Sequence, residues 1–226
     1  MYYRRSAATL CAALTLGCFL AGCSDSSSPN NDNANPPALT AEYYAQARIN
    51  GTYETQQAEN GSTTIISPAY EGSSGSADDG GYIVSQLSSF SKVDYAPGSI
   101  PALDPTYRSI GIMFIKKYPQ EPSVLQYNQL VRQGTMPFGS YFDEKEGVEI
   151  RWRDAAGTLW STALGSGDQT GSTFTVTSNT PITVNPGQSI NGHYKTSGTF
   201  SATLYDTKGN SMPITDGKFT VATVFY

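Results

Sequence analysis

Few residues of this chain have the types and spacing that chemistry requires. It holds one histidine, His193, and three cysteines, Cys11, Cys18 and Cys23, in 226 residues. A Ser-His-Asp site would have to use His193, and no Gly-x-Ser-x-Gly elbow accompanies any serine. Paired carboxylates occur twice, at Asp78-Asp79 and among Asp143, Glu144 and Glu146. Glycoside hydrolysis needs two such groups about 5–10 Å apart, but both clusters sit in polar segments where solvated turns are the plainer reading. Calcium is the metal that best suits a chain poor in His and Cys, because it takes oxygen ligands. Residues 206–210 and 72–81 are rich in oxygen atoms, yet neither matches an EF-hand loop and Lys208 interrupts the first. The expectation is therefore no catalytic residue, no metal ligand and no cofactor.

Aromatic side chains are the remaining chemical signal. Fifteen tyrosines accompany Trp152 and Trp160. Tyrosine and tryptophan offer apolar area with a polar tip, which suits stacking on sugars or binding proteins. Tyr43, Tyr44 and Trp160 are the candidates for such a platform. The competing reading is that tyrosine is a good strand residue and these side chains belong to the core and sheet surface.

Cys23 has the most specific context. Arg4 and Arg5 precede an apolar stretch, residues 7–21, too short for the ~20 residues of a membrane-crossing helix. The stretch ends in Leu20-Ala21-Gly22-Cys23, which resembles the bacterial lipobox. Cleavage between Gly22 and Cys23 would free a cysteine thiol to take diacylglycerol. Cys11 and Cys18 leave with the signal, so acylation accounts for the one cysteine that stays. Ser24 rather than Asp follows the anchor, which implies sorting to the outer membrane. The signal takes Arg4 and Arg5 with it, and the net charge of −5 becomes about −7. An acidic body stands off an anionic membrane, and nucleic acid is excluded as a partner by the same balance.

The elements that must position these residues follow a period of two. Residues 1–22 read as signal, 23–39 as lipidated cysteine and spacer, and 40–226 as one domain. The spacer has no aromatic or β-branched residue to build a core, and its 16 residues after Cys23 span roughly 20–24 Å as a flexible chain. Strands are predicted at 42–49 and 52–57 around an Asn50-Gly51 hairpin turn, then at 63–67 and 82–90 with a loop at 72–81 between them. Residues 107–116 are apolar enough for a strand buried on both faces. Pro122, an apolar stripe of Val124, Leu125, Leu130 and Val131, and Gly134 predict a helix of about three turns. Val148, Ile150 and Trp152 then alternate with Glu149, Arg151 and Arg153, the pattern of a half-buried strand. Further strands are predicted at 158–164, 171–178, 181–184, 193–205 and 217–225. Gly157, Gly209 and Gly217 are expected to supply positive φ at turns.

About 10–12 short strands with one helix describe a mainly β fold, an antiparallel β-sandwich of jelly-roll or immunoglobulin-like type. The sequences GVEIRW with Asp154 and GTLWST, then SGTFSATLYD and ITDGKF, resemble two hairpins of small β-sandwich outer-membrane lipoproteins of unknown function. That resemblance implies the fold and an envelope location, and it carries over no catalytic residue. The expected protein is a non-enzymatic lipoprotein, bound to the membrane through its lipid, with a binding or structural role toward a glycan or protein partner. The alternative is a carbohydrate-binding accessory module.

Overall fold

Alternating apolar and polar residues, many of them β-branched or aromatic, commit most of this chain to strands. The computed structural model describes residues 35–60, 64–94, 102–103, 107–127, 129–182 and 193–224. Gly22, Cys23 and the spacer up to residue 34 lie outside them, as do residues 183–184 and 225 of the predicted strands. Seven strands come first: β1 (Tyr44–Ile49), β2 (Thr52–Gln57), β3 (Glu59–Asn60), β4 (Thr64–Ser76), β5 (Tyr82–Asp94), β6 (Ala102–Leu103) and β7 (Gly111–Tyr118). A short helix, α1 (Val124–Tyr127), separates them from β8 (Gly134–Thr135), β9 (Gly147–Arg153) and β10 (Leu159–Ser161). Then follow β11 (Thr173–Pro181), β12 (His193–Tyr205) and β13 (Ser211–Val224).

The fold is mainly β and antiparallel with one short helix, as the period of two predicts. Its strands join in the order β2-β1-β13-β12-β10-β9-β7-β5-β4-β3, with β11 added to β12 and β8, and β6 to β5. The sheet curls until it nearly closes. Gln56 of β2 accepts from the backbone N–H of Ile110 at 3.1 Å, just before β7. Ser88 of β5 donates to the carbonyl of Ala222 on β13 at 2.8 Å. Between these contacts lies one large cluster of buried apolar side chains.

Asn50 and Gly51 both have positive φ, 46° and 86°, and join β1 to β2 through the two-residue turn expected of this pair. Two other expectations are corrected. Residues 72–76 are strand, not loop: β4 and β5 pair without a register break from Thr64↔Asp94 to Ser76↔Tyr82. A continuous hydrogen-bond ladder overrides the low strand propensity of glycine and serine. The helix has one turn rather than three. Ser123 N–H and Oγ both donate to Gln126 Oε1, at 2.9 and 3.0 Å, which caps the turn at its start. Beyond Tyr127 the N–H of Gln129 donates to the Gln126 carbonyl and that of Leu130 to the Tyr127 carbonyl, both at 3.0 Å, the three-residue spacing of turns and not the four-residue spacing of an α-helix. Leu125 is left 76% exposed while Leu130 and Val131 are buried.

The aromatic centre of the core explains the GTF and GKF triplets. Gly198-Thr199-Phe200 on β12 lies antiparallel to Gly217-Lys218-Phe219 on β13, with Gly198↔Phe219 and Phe200↔Gly217 in register. Each phenyl ring therefore sits over the glycine opposite it. Phe174 on β11 stacks on both rings, with centroids 6.3 Å from Phe200 and 5.3 Å from Phe219. Phe114 of β7 meets Phe174 edge-on at 6.0 Å. Gly217 thus serves close packing and has no positive φ. The left-handed residue is its neighbour Asp216, at φ 53°. Gly157 and Gly209 do take the positive φ expected, 83° and 85°.

Candidate functional site

The two acidic clusters come together around Lys117 of β7. Its Nζ lies 2.9 Å from Asp79 Oδ2, in the β4–β5 turn, and 2.9 Å from Glu144 Oε2, in the segment before β9. Glu144 Oε1 accepts from the N–H of Asp78 at 2.7 Å, and Glu146 Oε1 from the N–H of Lys117 at 2.9 Å. The hydrogen bonds from Lys117, helped by backbone N–H groups, hold Asp79 and Glu144 below the usual carboxylate range. Their oxygens in turn push the lysine up. A catalytic acid at neutral pH needs the opposite shift, so these charges act as a clip joining the β4–β5 turn to residues 139–146. Tyr141 reinforces it with a 3.0 Å hydroxyl contact to Ser73 Oγ.

The aromatic candidates divide between faces. Trp160 lies directly opposite Trp152 on β9, so both rings take the same side of the sheet. Trp152 is buried, and Trp160 packs against the same core with its indole N–H donating to Asp154 Oδ2 at 3.0 Å. Tyr43 also packs against that core. Tyr44, the next residue, points to the other face by the alternation of β1. The three do not meet as one flat platform.

Two residues that pattern reading assigned to the solvent side have a different role. Glu149 is 2% exposed, although it alternates with Val148 and Ile150 as predicted. Its Oε1 accepts from Arg151 Nε at 2.6 Å and from Ser161 Oγ at 2.7 Å. Its Oε2 is buried without a partner among the described residues. A second apolar cluster, Ala77, Ile83, Met113 and Ile115, lies on this outer face, and Met113 is the register partner of Glu149. The apolar run of β7 already predicts cover on both of its faces; what the alternation of β9 misses is that the same cover reaches Glu149.

The DAAGT and DTKGN segments form the same turn twice. Asp154 Oδ1 accepts from the N–H groups of Ala156 and Thr158, and Asp206 Oδ1 from those of Lys208 and Asn210. Asn210 Nδ2 completes the second turn at 2.7 Å from Asp206 Oδ2. These oxygens brace hairpins, and among the described residues no group of three His, Cys, Asp or Glu side chains converges as metal ligands would. The Asn210 side chain and the backbone donors hold Asp206 below its ordinary value, and the Trp160 indole does the same for Asp154. A lowered carboxyl stabilises the fold fully above its unfolded value of about 3.9 and loses that contribution as pH falls through the folded value. Asp206→Asn should therefore flatten the loss of unfolding free energy as the pH falls below about 4, read by urea titration at each pH. An acid limb as steep as that of the unaltered chain would remove this role.

β13 also carries a bulge. Its partners skip from Lys218 to Thr215 on the β1 side and from Gly217 to Ile214 on the β12 side. Bulges re-aim side chains, and this one turns Asp216 outward to Arg48 Nε at 3.4 Å and Tyr53 OH at 3.4 Å. The Arg48 guanidinium lies 4.7 Å from the centre of the Tyr53 ring. A cleft of about 290 Å³ opens beside them, with Gln46, Thr199 and Ser201 on its walls. His193 opens β12, and its side chain lies outside the described part. Comparison with protein-family models, curated proteins and solved structures returns no match for this chain.

Proposed function

We propose that this chain is a non-enzymatic lipoprotein of the bacterial outer membrane, its β domain held to the membrane by lipid on Cys23 and serving a binding or structural role. The observation that carries the reading is Leu20-Ala21-Gly22-Cys23 at the end of a short apolar stretch, in a chain with no later cysteine. Among the described residues the first strand opens at Tyr44, 21 residues after Cys23, a separation that suits a spacer between lipid and sheet. The ionised state of Asp79 and Glu144 around Lys117 supports scaffold chemistry over acid–base chemistry. Several acyl chains bind a bilayer far more firmly than one, at ~0.8 kcal/mol per buried CH₂.

The test is metabolic labelling with palmitate followed by membrane fractionation in a Gram-negative host. The unaltered chain is expected to take up label and sediment with outer membranes, and Cys23→Ala to lose both properties. A Cys23→Ala chain that stays labelled and membrane-bound would overturn the assignment.

A further inference from the structure

The end of the sheet where β7 meets β9 holds a second cavity, of about 320 Å³. Residues 130–137 form a strap across this end, fixed by Val148 N–H donating to the Pro137 carbonyl at 2.9 Å. Its apolar lining comes from Leu130, which is 2% exposed, and from Met136 and Pro137 of the strap; Ile115 borders it too, but its side chain belongs to the outer-face cluster. The polar lining is Lys116, Arg132, Thr135 and Glu146.

Two of these groups are cations near each other. Arg132 and burial both depress the Lys116 amine, and Glu146 offsets them in part. The Lys116 Nζ also lies 5.2 Å from the centre of the Tyr118 ring, a favourable placement for a cation. Among the described residues, neither Lys116 nor Arg132 forms a salt bridge. Glu146, the one acid present, already gives an oxygen to the backbone of Lys117. In a chain of net charge −5, two neighbouring cations lacking carboxylate partners at an apolar cavity form an unusual arrangement.

We propose that this cavity binds a small organic carboxylate with a short apolar body. Two cations and one acid leave a single positive charge at the site, which matches a monoanion better than a phosphate dianion. Arg132 offers the planar fork that carboxylates fit, and Lys116 supplies a second positive charge in the same lining. The apolar walls require a ligand with hydrocarbon to bury. The volume lies at the lower end of the roughly 300–1,000 Å³ typical of ligand sites, which excludes a long acyl chain.

Calorimetric titration of the full-length chain with hexanoate and with acetate tests the proposal. Hexanoate should bind saturably and acetate at least about ten-fold more weakly, since acetate leaves the apolar walls uncovered. Arg132→Gln and Lys116→Gln should each weaken hexanoate by about ten-fold or more, the scale of one lost charge-assisted hydrogen bond. Raising the salt concentration should weaken it further. Arg132→Gln should melt at the temperature of the unaltered chain without ligand, because it has no salt bridge to lose, and Lys116→Gln should lose no more than about 1 kcal/mol, the scale of its contact with the Tyr118 ring. The proposal fails if hexanoate gives no saturable heat, binds no better than acetate, or binds both variants with unchanged affinity. None of these results depends on whether Cys23 carries lipid.

Discussion

Arg151→Ala is expected to lower the unfolding free energy by about 3–5 kcal/mol, the cost of leaving one partner of a buried ion pair alone. The Glu149 side chain is 3% exposed, and the Arg151 guanidinium is what neutralises it. After the substitution only Ser161 Oγ remains to donate to Glu149 Oε1, while Oε2 already lacks a partner. For a domain of this size the loss corresponds to a melting point lower by roughly 6–20 °C. Replacing the group as a unit should behave differently, because the apolar surroundings of Leu87 and Met113 are suited to hydrocarbon. Glu149→Met with Arg151→Met and Ser161→Ala is expected to recover most of that stability, since apolar replacement of a whole buried ion pair is often neutral or better. Chemical denaturation of the three chains decides the matter. A single variant within about 0.5 kcal/mol of the unaltered chain, or a triple variant no better than the single, would show that the pair is effectively solvated.

The buried carboxylate marks where sequence reading stops. The alternation in GVEIRWR gives the strand and its inner face, Val148, Ile150 and Trp152, without error. It cannot say that the outer face is covered too, because Tyr141, which packs on that face, belongs to a segment far from β4 and β5 in sequence that meets them only in the fold, through Lys117, Ser73 and the N–H of Asp78. The two acidic clusters were each visible as charge in a polar segment. Their meeting depends on a 13-residue ladder between β4 and β5 that carries Asp79 to the end of β7. Glycine and serine disguise the second half of that ladder as a loop. The helix failed for a related reason: the stripe counts Leu125, which is 76% exposed, and beyond Tyr127 the backbone turns through three-residue bonds instead of continuing the helix. The turns fared better because their chemistry is local. Asn50-Gly51, Asp154 to Gly157 and Asp206 to Gly209 each fix their own backbone within five residues.

The paired triplets on β12 and β13 allow a sharper test than loss of stability alone. A methyl group added at Gly217 would run first into the ring of Phe200. One added at Gly198 would meet the Phe219 ring and, closer still, the carbonyl oxygen of Thr175 on the neighbouring strand. Overpacking a close-packed core costs about 1–3 kcal/mol and sometimes more, so both alanine variants should be destabilised, with Gly198→Ala at or above the top of that range. Their responses to a second substitution should differ. Phe200→Leu shortens the side chain that Gly217→Ala strikes, so the double variant should lose less than the sum of the two singles, by about 1 kcal/mol or more. Phe219→Leu removes only the softer of the two obstacles at Gly198. The backbone of β11 stays where it is, and the double variant there should be close to additive. Equilibrium unfolding of both cycles reads the coupling directly. Rescue at Gly198 equal to that at Gly217 would mean that the strands slide apart easily, and that the glycines are not what sets the spacing of β11, β12 and β13.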